Sequence, residues 1–245
     1  MTEICTLELR IKLQESRRFA LKANGKLPLL PNHDGFIFDL DMTLVETDFD
    51  TCILQSILAT IRELKGVIPE ADLVRRFWYG SIHRDECIYR QFALDPDVFW
   101  KAFRHHDTPE FRLAHTTVVP GARETLLSLR EQAKKVAIIT ASVAHMAEPE
   151  IEMLDFAFDE HFSVSESPDF EPKPDPQSLQ LMIQTLAVQP GRTVYTGDSY
   201  EDCRFANNAG VRFVHFDRGR GITMPYEPNA TFNDWQQYLS LAVEA

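Results

Sequence analysis

The stretch DGFIFDLDMTL, residues 34–44, places two carboxylates directly after a short apolar run. Residues 36–38 have the composition of a strand that is buried on both faces in a parallel sheet. Residues i and i+2 of a strand share a face, so Asp39 and Asp41 should project together from its carboxyl end, where open α/β sheets bind ligands. Adjacent carboxylates repel each other, and a bound cation or a shared proton usually compensates. Solvated turn acids, with Asp41 capping a helix, are the alternative.

The bulk composition narrows the class of protein. The 245 residues carry a formal net charge of −12, with a pI near 5.1, which argues against nucleic acid and an anionic membrane as main partners. No run approaches the roughly 20 apolar residues that cross a bilayer, and charges interrupt any signal-peptide core. The four cysteines are widely spaced and form no C-x-x-C motif, which favours structural thiols in a reducing compartment. We therefore expect a soluble, cytoplasmic protein.

Helical periodicity dominates the segment that follows the two carboxylates. Apolar residues recur at helical spacing across residues 47–116, and no β alternation interrupts them. Asp95 and Pro96 have the form of an N-cap followed by proline at the first helical position. Residues 42–50 are too polar for a strand, so we expect a loop over the site there.

From Val118 onward, apolar strands alternate with helical patterns. This alternation predicts an α/β fold with a Rossmann-like, doubly wound parallel sheet. The predicted strands after the first are 135–139, 162–165, 193–196 and 212–216. The predicted domains are an N-terminal extension (1–33, with a helix favoured over 1–24), an α/β core (34–46 and 117–245) and an inserted all-α domain (47–116).

Polar groups occur at four places just after a predicted strand or in a loop leading into a helix. They are Asp39 and Asp41, Thr140 and Ser142, Lys173, and Asp198 and Asp202. In a parallel sheet such ends lie along one edge, so distant residues can converge. Taken singly, each group has an ordinary explanation as a helix cap, a solvated loop lysine or an acid in the first turn of a helix.

Taken together, these segments resemble the haloacid dehalogenase (HAD) superfamily. The matching segments are FDLDMTL (38–44), IITAS (138–142), EPKPDP (171–176) and GDSYEDCRFANNAG (197–210). The resemblance covers residues 34 to about 217 and points to the branch of phosphoglycolate phosphatases and β-phosphoglucomutases. The helical insertion resembles the C1-type cap of the superfamily. The chain departs from many relatives in having Met42 in place of glycine and Ala141 in place of asparagine.

The resemblance implies a phosphomonoester hydrolase that works through an aspartyl-phosphate intermediate. It makes Asp39 the nucleophile and Asp41 the acid that protonates the leaving oxygen and then activates water. Carboxylates can fill both roles. One carboxylate can act as a covalent nucleophile, and a second carboxylate two residues later can transfer protons to and from the reacting oxygens.

The resemblance also implies a cofactor and a phosphate site. Mg²⁺ would be held by Asp39, the backbone carbonyl of Asp41 and Asp198, with Asp202 in support. The implied phosphate-binding groups are Thr140, the backbone amide of Ala141 and Lys173. Oxygen ligands suit Mg²⁺, and positioning with charge stabilisation supplies most of the catalysis in phosphoryl transfer.

The cap is expected to select a small phosphorylated metabolite. Its polar candidates for substrate contact are His83, Arg84, Arg90, His105 and His106. Two alternatives stay open: a phosphomutase, which returns the phosphoryl group to the substrate, and a non-catalytic HAD-like binding protein. We expect a monomer or a homodimer.

Overall fold

The computed structural model of the chain describes residues 26–79, 84–165 and 167–244. Its strands are β1 (Lys26–Pro28), β2 (Gly35–Phe38), β3 (Val45–Thr47), β4 (Thr116–Val118), β5 (Lys135–Thr140), β6 (Glu160–Ser163), β7 (Thr193–Gly197), β8 (Arg212–Phe216), β9 (Ala230–Phe232) and β10 (Ala242–Glu244). Its helices are α1 (Leu29–Asn32), α2 (Leu54–Glu63), α3 (Ala71–Trp78), α4 (Arg84–Gln91), α5 (Pro96–His106), α6 (Pro109–Leu113), α7 (Ala122–Glu131), α8 (Ala144–Met153), α9 (Gln177–Thr185), α10 (Tyr200–Asn208) and α11 (Trp235–Tyr238). The helix favoured over 1–24 lies outside these residues.

A parallel sheet in the order β6-β5-β2-β7-β8-β9 forms the centre of the described fold. Strand β2 pairs in parallel with β5 on one side and with β7 on the other. All four of its residues are buried, as expected of an apolar strand in the middle of such a sheet. The carboxyl ends of β2, β5 and β7 therefore lie along one edge. The predicted α/β fold with a parallel sheet is confirmed.

The two faces of the sheet contribute to separate hydrophobic cores, because successive side chains of a strand point to opposite faces. Phe36 and Phe38 belong to a core that also contains Trp235. Ile37, between them, belongs to a second core that contains Leu179 of α9. Helices therefore cover the sheet on both sides and fix the position of β2.

Residues 49–113, which we call the helical insert, have a hydrophobic cluster of their own. A π-helical turn, Phe49–Ile53, leads into α2, and α3 to α6 follow. The buried rings of Phe77, Phe92 and Phe99 contact one another at its centre. The predicted N-cap is present, since the Asp95 side chain accepts a hydrogen bond from the Val98 amide at 3.0 Å.

The prediction of a loop over 42–50 is wrong. Val45–Thr47 forms β3, which pairs antiparallel with β4 at the base of the helical insert. The Thr47 and Thr116 hydroxyls, 2.8 Å apart, join the two strands. Since these strands are three residues long and 69 positions apart at that contact, the pairing is tertiary and leaves no local pattern in the sequence.

Additional elements extend the fold beyond the predicted ones. Strand β9 lengthens the sheet beside β8, and β1 pairs antiparallel with β10. Helix α11 places Trp235 and Tyr238 against the rings of Phe38 and Phe36. None of the described helices has both the length and the apolar composition of a membrane span.

Candidate active site

Asp39 follows the last residue of β2 and is buried at the edge of the sheet. Its backbone amide donates to the Thr196 carbonyl of β7 at 2.8 Å, which continues the strand pairing. Its carboxylate accepts hydrogen bonds from Lys173 Nζ at 2.6 Å and from the Thr43 hydroxyl at 3.3 Å. Burial raises the pKa of Asp39 well above its usual range, the Asp202 carboxylate adds to the shift, and Lys173 opposes it. The side chain is thus desolvated and fixed in direction.

Lys173 is the cation at the centre of the site. Its ammonium group lies 2.6 Å from Asp39 Oδ1, 3.0 Å from Asp202 Oδ1 and 2.6 Å from the Tyr195 hydroxyl, and only 4% of its side chain is exposed. Burial alone would lower the pKa of Lys173, but the carboxylates of Asp202 and Asp39 outweigh it and raise that pKa. Lys173 therefore remains charged. This burial excludes the alternative that Lys173 is a solvated loop lysine.

Asp202 has two structural roles in the first turn of α10. It forms a capping box with Ser199, whose hydroxyl lies 3.1 Å from the Asp202 amide and 2.6 Å from the Asp202 carboxylate. The other carboxylate oxygen faces Lys173. Gly197 makes this approach possible, because a Cβ atom there would lie 2.5 Å from Asp202 Cγ. Asp202 is therefore both a helix-capping residue and a member of the carboxylate cluster.

Asp39, Asp198 and Asp202 lie close enough to share one cation. One oxygen from each lies within 4.8 Å of the other two, and all three residues are buried. Arg220 Nη1 contacts Asp198 Oδ2 at 2.5 Å. Burial raises the pKa of Asp198 to about 7, a shift that Arg220 opposes. Buried carboxylate oxygens are the donor set that Mg²⁺ prefers, so these residues fit the predicted metal.

The carboxylate of Asp41 has partners other than those of the cluster. Its carboxylate accepts a hydrogen bond from Arg112 Nη1 at 3.0 Å and another from the Thr140 hydroxyl at 3.2 Å. Arg112 is buried and also contacts Asp107 through Nε at 3.2 Å and Nη2 at 2.5 Å. Both oxygens of Asp41 are therefore held by donors from β5 and from the helical insert.

A buried carboxylate, Glu150 of α8, completes the surroundings of Arg112. Its Oε1 lies 3.9 Å from Arg112 Nη1, and neither oxygen has a hydrogen-bond partner among the described residues. Burial raises the pKa of Glu150 to about 9, the Asp41 charge adds to the shift, and Arg112 opposes it. The surroundings of Glu150 thus favour its protonated form.

The site geometry agrees with a family match. The model of the haloacid dehalogenase-like hydrolases matches residues 36–216, which span β2 to β8 and include each of the carboxylates described above.

The chain belongs to this family.

Individual relatives agree with the predicted class of enzyme. A phosphoglycolate phosphatase of Pseudomonas fluorescens is 28% identical over 80% of this chain and 71% of its own length. The pyrophosphatase PpaX of Bacillus mycoides is 25% identical over 84% of this chain and 94% of its own length. A haloacid dehalogenase-like hydrolase from Streptococcus pneumoniae, at 20% identity and a TM-score of 0.66, covers 85% of this chain and 97% of its own. At that identity the last comparison shows the fold alone.

Of the predicted phosphate-binding residues of this HAD chain, Thr140 and Ala141 lie at the end of β5, whereas Lys173 lies in the carboxylate cluster. Thr140 is buried, and its hydroxyl also accepts from the Ser142 amide at 3.0 Å. Ala141 is exposed, and its carbonyl accepts from the Ser165 hydroxyl. Met42 is buried with a φ of 60°, the left-handed region that favours glycine. A methionine side chain is thus buried at a backbone conformation that glycine reaches more easily.

The predicted cap residues fall into three groups. His83 lies outside the described residues. Arg84 is exposed and donates to the Trp78 carbonyl at 2.7 Å. Arg90 pairs with Glu86 along α4, His106 contacts Glu63 at 2.6 Å, and His105 is exposed on α5. The partners of Arg84, Arg90 and His106 thus lie within the helical insert itself.

Sequence reasoning missed several residues that contact the site. Arg112 and Glu150 sit in ordinary helical patterns, so nothing local distinguishes them from surface charges. Tyr195 lies inside a predicted apolar strand, where a tyrosine is expected to belong to the hydrophobic core. Arg220 follows the end of β8, and the rule that ligands bind at the carboxyl ends of parallel strands was the available signal for it.

Proposed function

We propose that this HAD-family chain is a Mg²⁺-dependent phosphomonoester hydrolase that acts on a small phosphorylated metabolite through a phosphoryl group carried on Asp39. The observation that supports it best is the buried cluster of Asp39, Asp198 and Asp202 around Lys173. Three buried carboxylates with one lysine and one arginine leave a negative charge, which suits a divalent cation. One relative is named a phosphoglycolate phosphatase, which agrees with this activity, and the other a pyrophosphatase, which shares only the hydrolysis of a phosphate bond.

In this proposal Asp39 attacks phosphorus, because Lys173 and Thr43 already hold its carboxylate in a fixed direction. Asp41 protonates the leaving oxygen and later takes a proton from the attacking water. Asp39, Asp198, Asp202 and the Asp41 backbone carbonyl would hold Mg²⁺. Bound there, the cation would reduce the repulsion between the carboxylates and an anionic phosphate. Lys173 balances charge on the transferred phosphoryl group.

The helical insert is proposed as the cap over this site. It is tied to the sheet by the β3 and β4 pair and by the contact of Arg112 with Asp41. A cap that closes over bound substrate excludes water from the aspartyl-phosphate until hydrolysis is required.

The experiment that tests the proposal is hydrolysis of 4-nitrophenyl phosphate, followed by a panel of phosphorylated metabolites. We expect turnover with Mg²⁺, none with EDTA, and none for Asp39→Asn, whereas Asp97→Asn in the first turn of α5 retains turnover. Release of inorganic phosphate separates a hydrolase from a mutase. Mg²⁺ should also raise the melting temperature of the wild-type protein but not that of Asp198→Asn. A folded wild-type protein without turnover of any ester would overturn the proposal.

A further inference from the structure

The loop after β8, residues 217–229, carries two arginines beside the carboxylate cluster. Arg220 Nη1 lies 2.5 Å from Asp198 Oδ2, and Arg218 pairs with Glu46 at the base of the helical insert. Only 13% of the Arg220 side chain and 17% of the Arg218 side chain are exposed. Both are therefore largely desolvated cations. Arg220 contacts the carboxylate cluster, and Glu46, 3.8 Å from Arg220 Nη2, links Arg218 to it.

Aromatic rings hold both guanidinium groups in place. The Arg220 guanidinium carbon lies 4.0 Å from the centre of the Tyr79 ring, which belongs to the helical insert. The Arg218 guanidinium carbon lies 5.0 Å from the centre of the Phe216 ring. Rings on one side and carboxylates on another fix the direction of the remaining N–H groups.

The two arginines have donors to spare. A guanidinium offers five N–H groups, and Arg218 Nη1 is buried with no hydrogen-bond partner among the described residues. Leaving a buried donor unpaired is unfavourable, so a ligand oxygen that reached it would be stabilised.

We propose that Arg218 and Arg220 form a second anion-binding subsite, which favours substrates that carry a carboxylate or a second phosphate close to the reacting phosphoryl group. This inference rests on the phosphatase function proposed above. Guanidinium groups bind both anions through paired N–H donors. If the arginines served only to neutralise Asp198 and Glu46, the enzyme would show no preference for a charged group over a neutral one of the same shape.

The test compares phosphoglycolate with its neutral amide in the wild-type enzyme, Arg218→Gln and Arg220→Gln. The readout is the ratio of the two kcat/KM values within each protein, so a general loss of folded enzyme or of chemistry cancels. We expect the wild-type ratio to favour the acid by at least about tenfold and each substitution to bring it close to one. Inorganic pyrophosphate, compared with the same amide, distinguishes a phosphate-selective subsite from a carboxylate-selective one.

The control is Arg123→Gln, which removes an arginine of α7 that pairs with Asp155; it should keep the wild-type ratio. A wild-type enzyme that favours neither anion over the amide, or variants that keep the preference, would overturn the inference. Failure of the phosphatase proposal is recognised separately, by absence of 4-nitrophenyl phosphate turnover. In that case calorimetric binding of phosphoglycolate and its amide decides the inference, with tighter binding of the acid only in the wild-type protein as the supporting result.

Discussion

Arg112 Nη1 lies 3.0 Å from Asp41 Oδ1, so a buried arginine of the helical insert directly holds the proposed proton-transfer group of the sheet domain. Asp107 fixes the same guanidinium through two further contacts. The side chain that should meet the leaving group thus depends on residues 71 positions away in sequence.

This relationship predicts that Arg112→Lys impairs leaving-group protonation more than phosphoryl transfer itself. Lysine keeps the charge, but it cannot make the paired contacts with Asp107. The Asp41 carboxylate would therefore no longer be held in the same position. We expect kcat/KM for an alkyl phosphate to fall by about 10²-fold, since its leaving oxygen needs a proton, and that for 4-nitrophenyl phosphate to fall by less than about tenfold. Steady-state kinetics with both substrates measures this.

Comparing two substrates in one variant removes any effect of reduced folding. Arg123→Lys provides the matched control on the surface of α7 and should leave both values unchanged. Equal losses for the two esters in Arg112→Lys would show that Arg112 has no specific influence on proton transfer.

Lys173→Met should lower kcat by about 10² to 10³-fold, because it removes the cation that contacts Asp39 and leaves charge on the phosphoryl group unbalanced. It should also lower the free energy of unfolding by about 3 to 5 kcal/mol, since two buried carboxylates lose their partner.

Tyr195→Phe, which removes only a hydroxyl that contacts Lys173, should lower kcat by less than about tenfold. Kinetics and denaturant titration measure these effects, and a Lys173→Met enzyme with wild-type kcat would contradict the role given to Lys173.

Glu150→Gln should stabilise the protein at alkaline pH. The pKa of Glu150 rises from its usual 4.5 to about 9, so the folded state holds a proton that the unfolded chain loses. The stability that comes from this proton is complete below pH 4.5 and is lost as the pH rises towards about 9. Glutamine cannot ionise, so the free energy of unfolding of the variant should increasingly exceed that of wild type as the pH rises from 4.5 to 8.

Denaturant titrations between pH 5 and about 9 measure the difference, which should grow with pH. Glu148→Gln, on an exposed position of the same helix, should show no such trend. A Glu150→Gln protein less stable than wild type at pH 8 would mean that Glu150 is ionised and that its contact with Arg112 is stabilising.

The residues that sequence could predict are those whose place follows from strand ends. Asp39, Lys173, Asp198 and Asp202 come from segments that end or follow parallel strands, and the structure brings these four together. The convergence of Asp39 and Asp198 follows from topology, because the ends of parallel strands share an edge, whereas Lys173 reaches them through the loop after β6.

The residues that sequence could not predict depend on long-range contacts. Arg112 reaches Asp41 only because β3 pairs with β4 and closes the helical insert against the sheet. Arg220 contacts Asp198 from a loop, and the sequence of that loop has no helical or strand periodicity from which its position could be predicted. For such residues the pattern along the chain carries no information on the partner, and only the packed structure reveals it.

The measurement that tests the central proposal most directly is capture of the phosphoryl group on Asp39. Wild-type enzyme would be mixed with Mg²⁺ and a radiolabelled phosphate ester, quenched in acid within one turnover and digested into peptides. We expect label on the peptide that contains residues 34–44, its release by hydroxylamine as an acyl phosphate, and no label in Asp39→Asn. Continuing turnover without label on that peptide, or label on any other residue, would contradict Asp39 as the nucleophile.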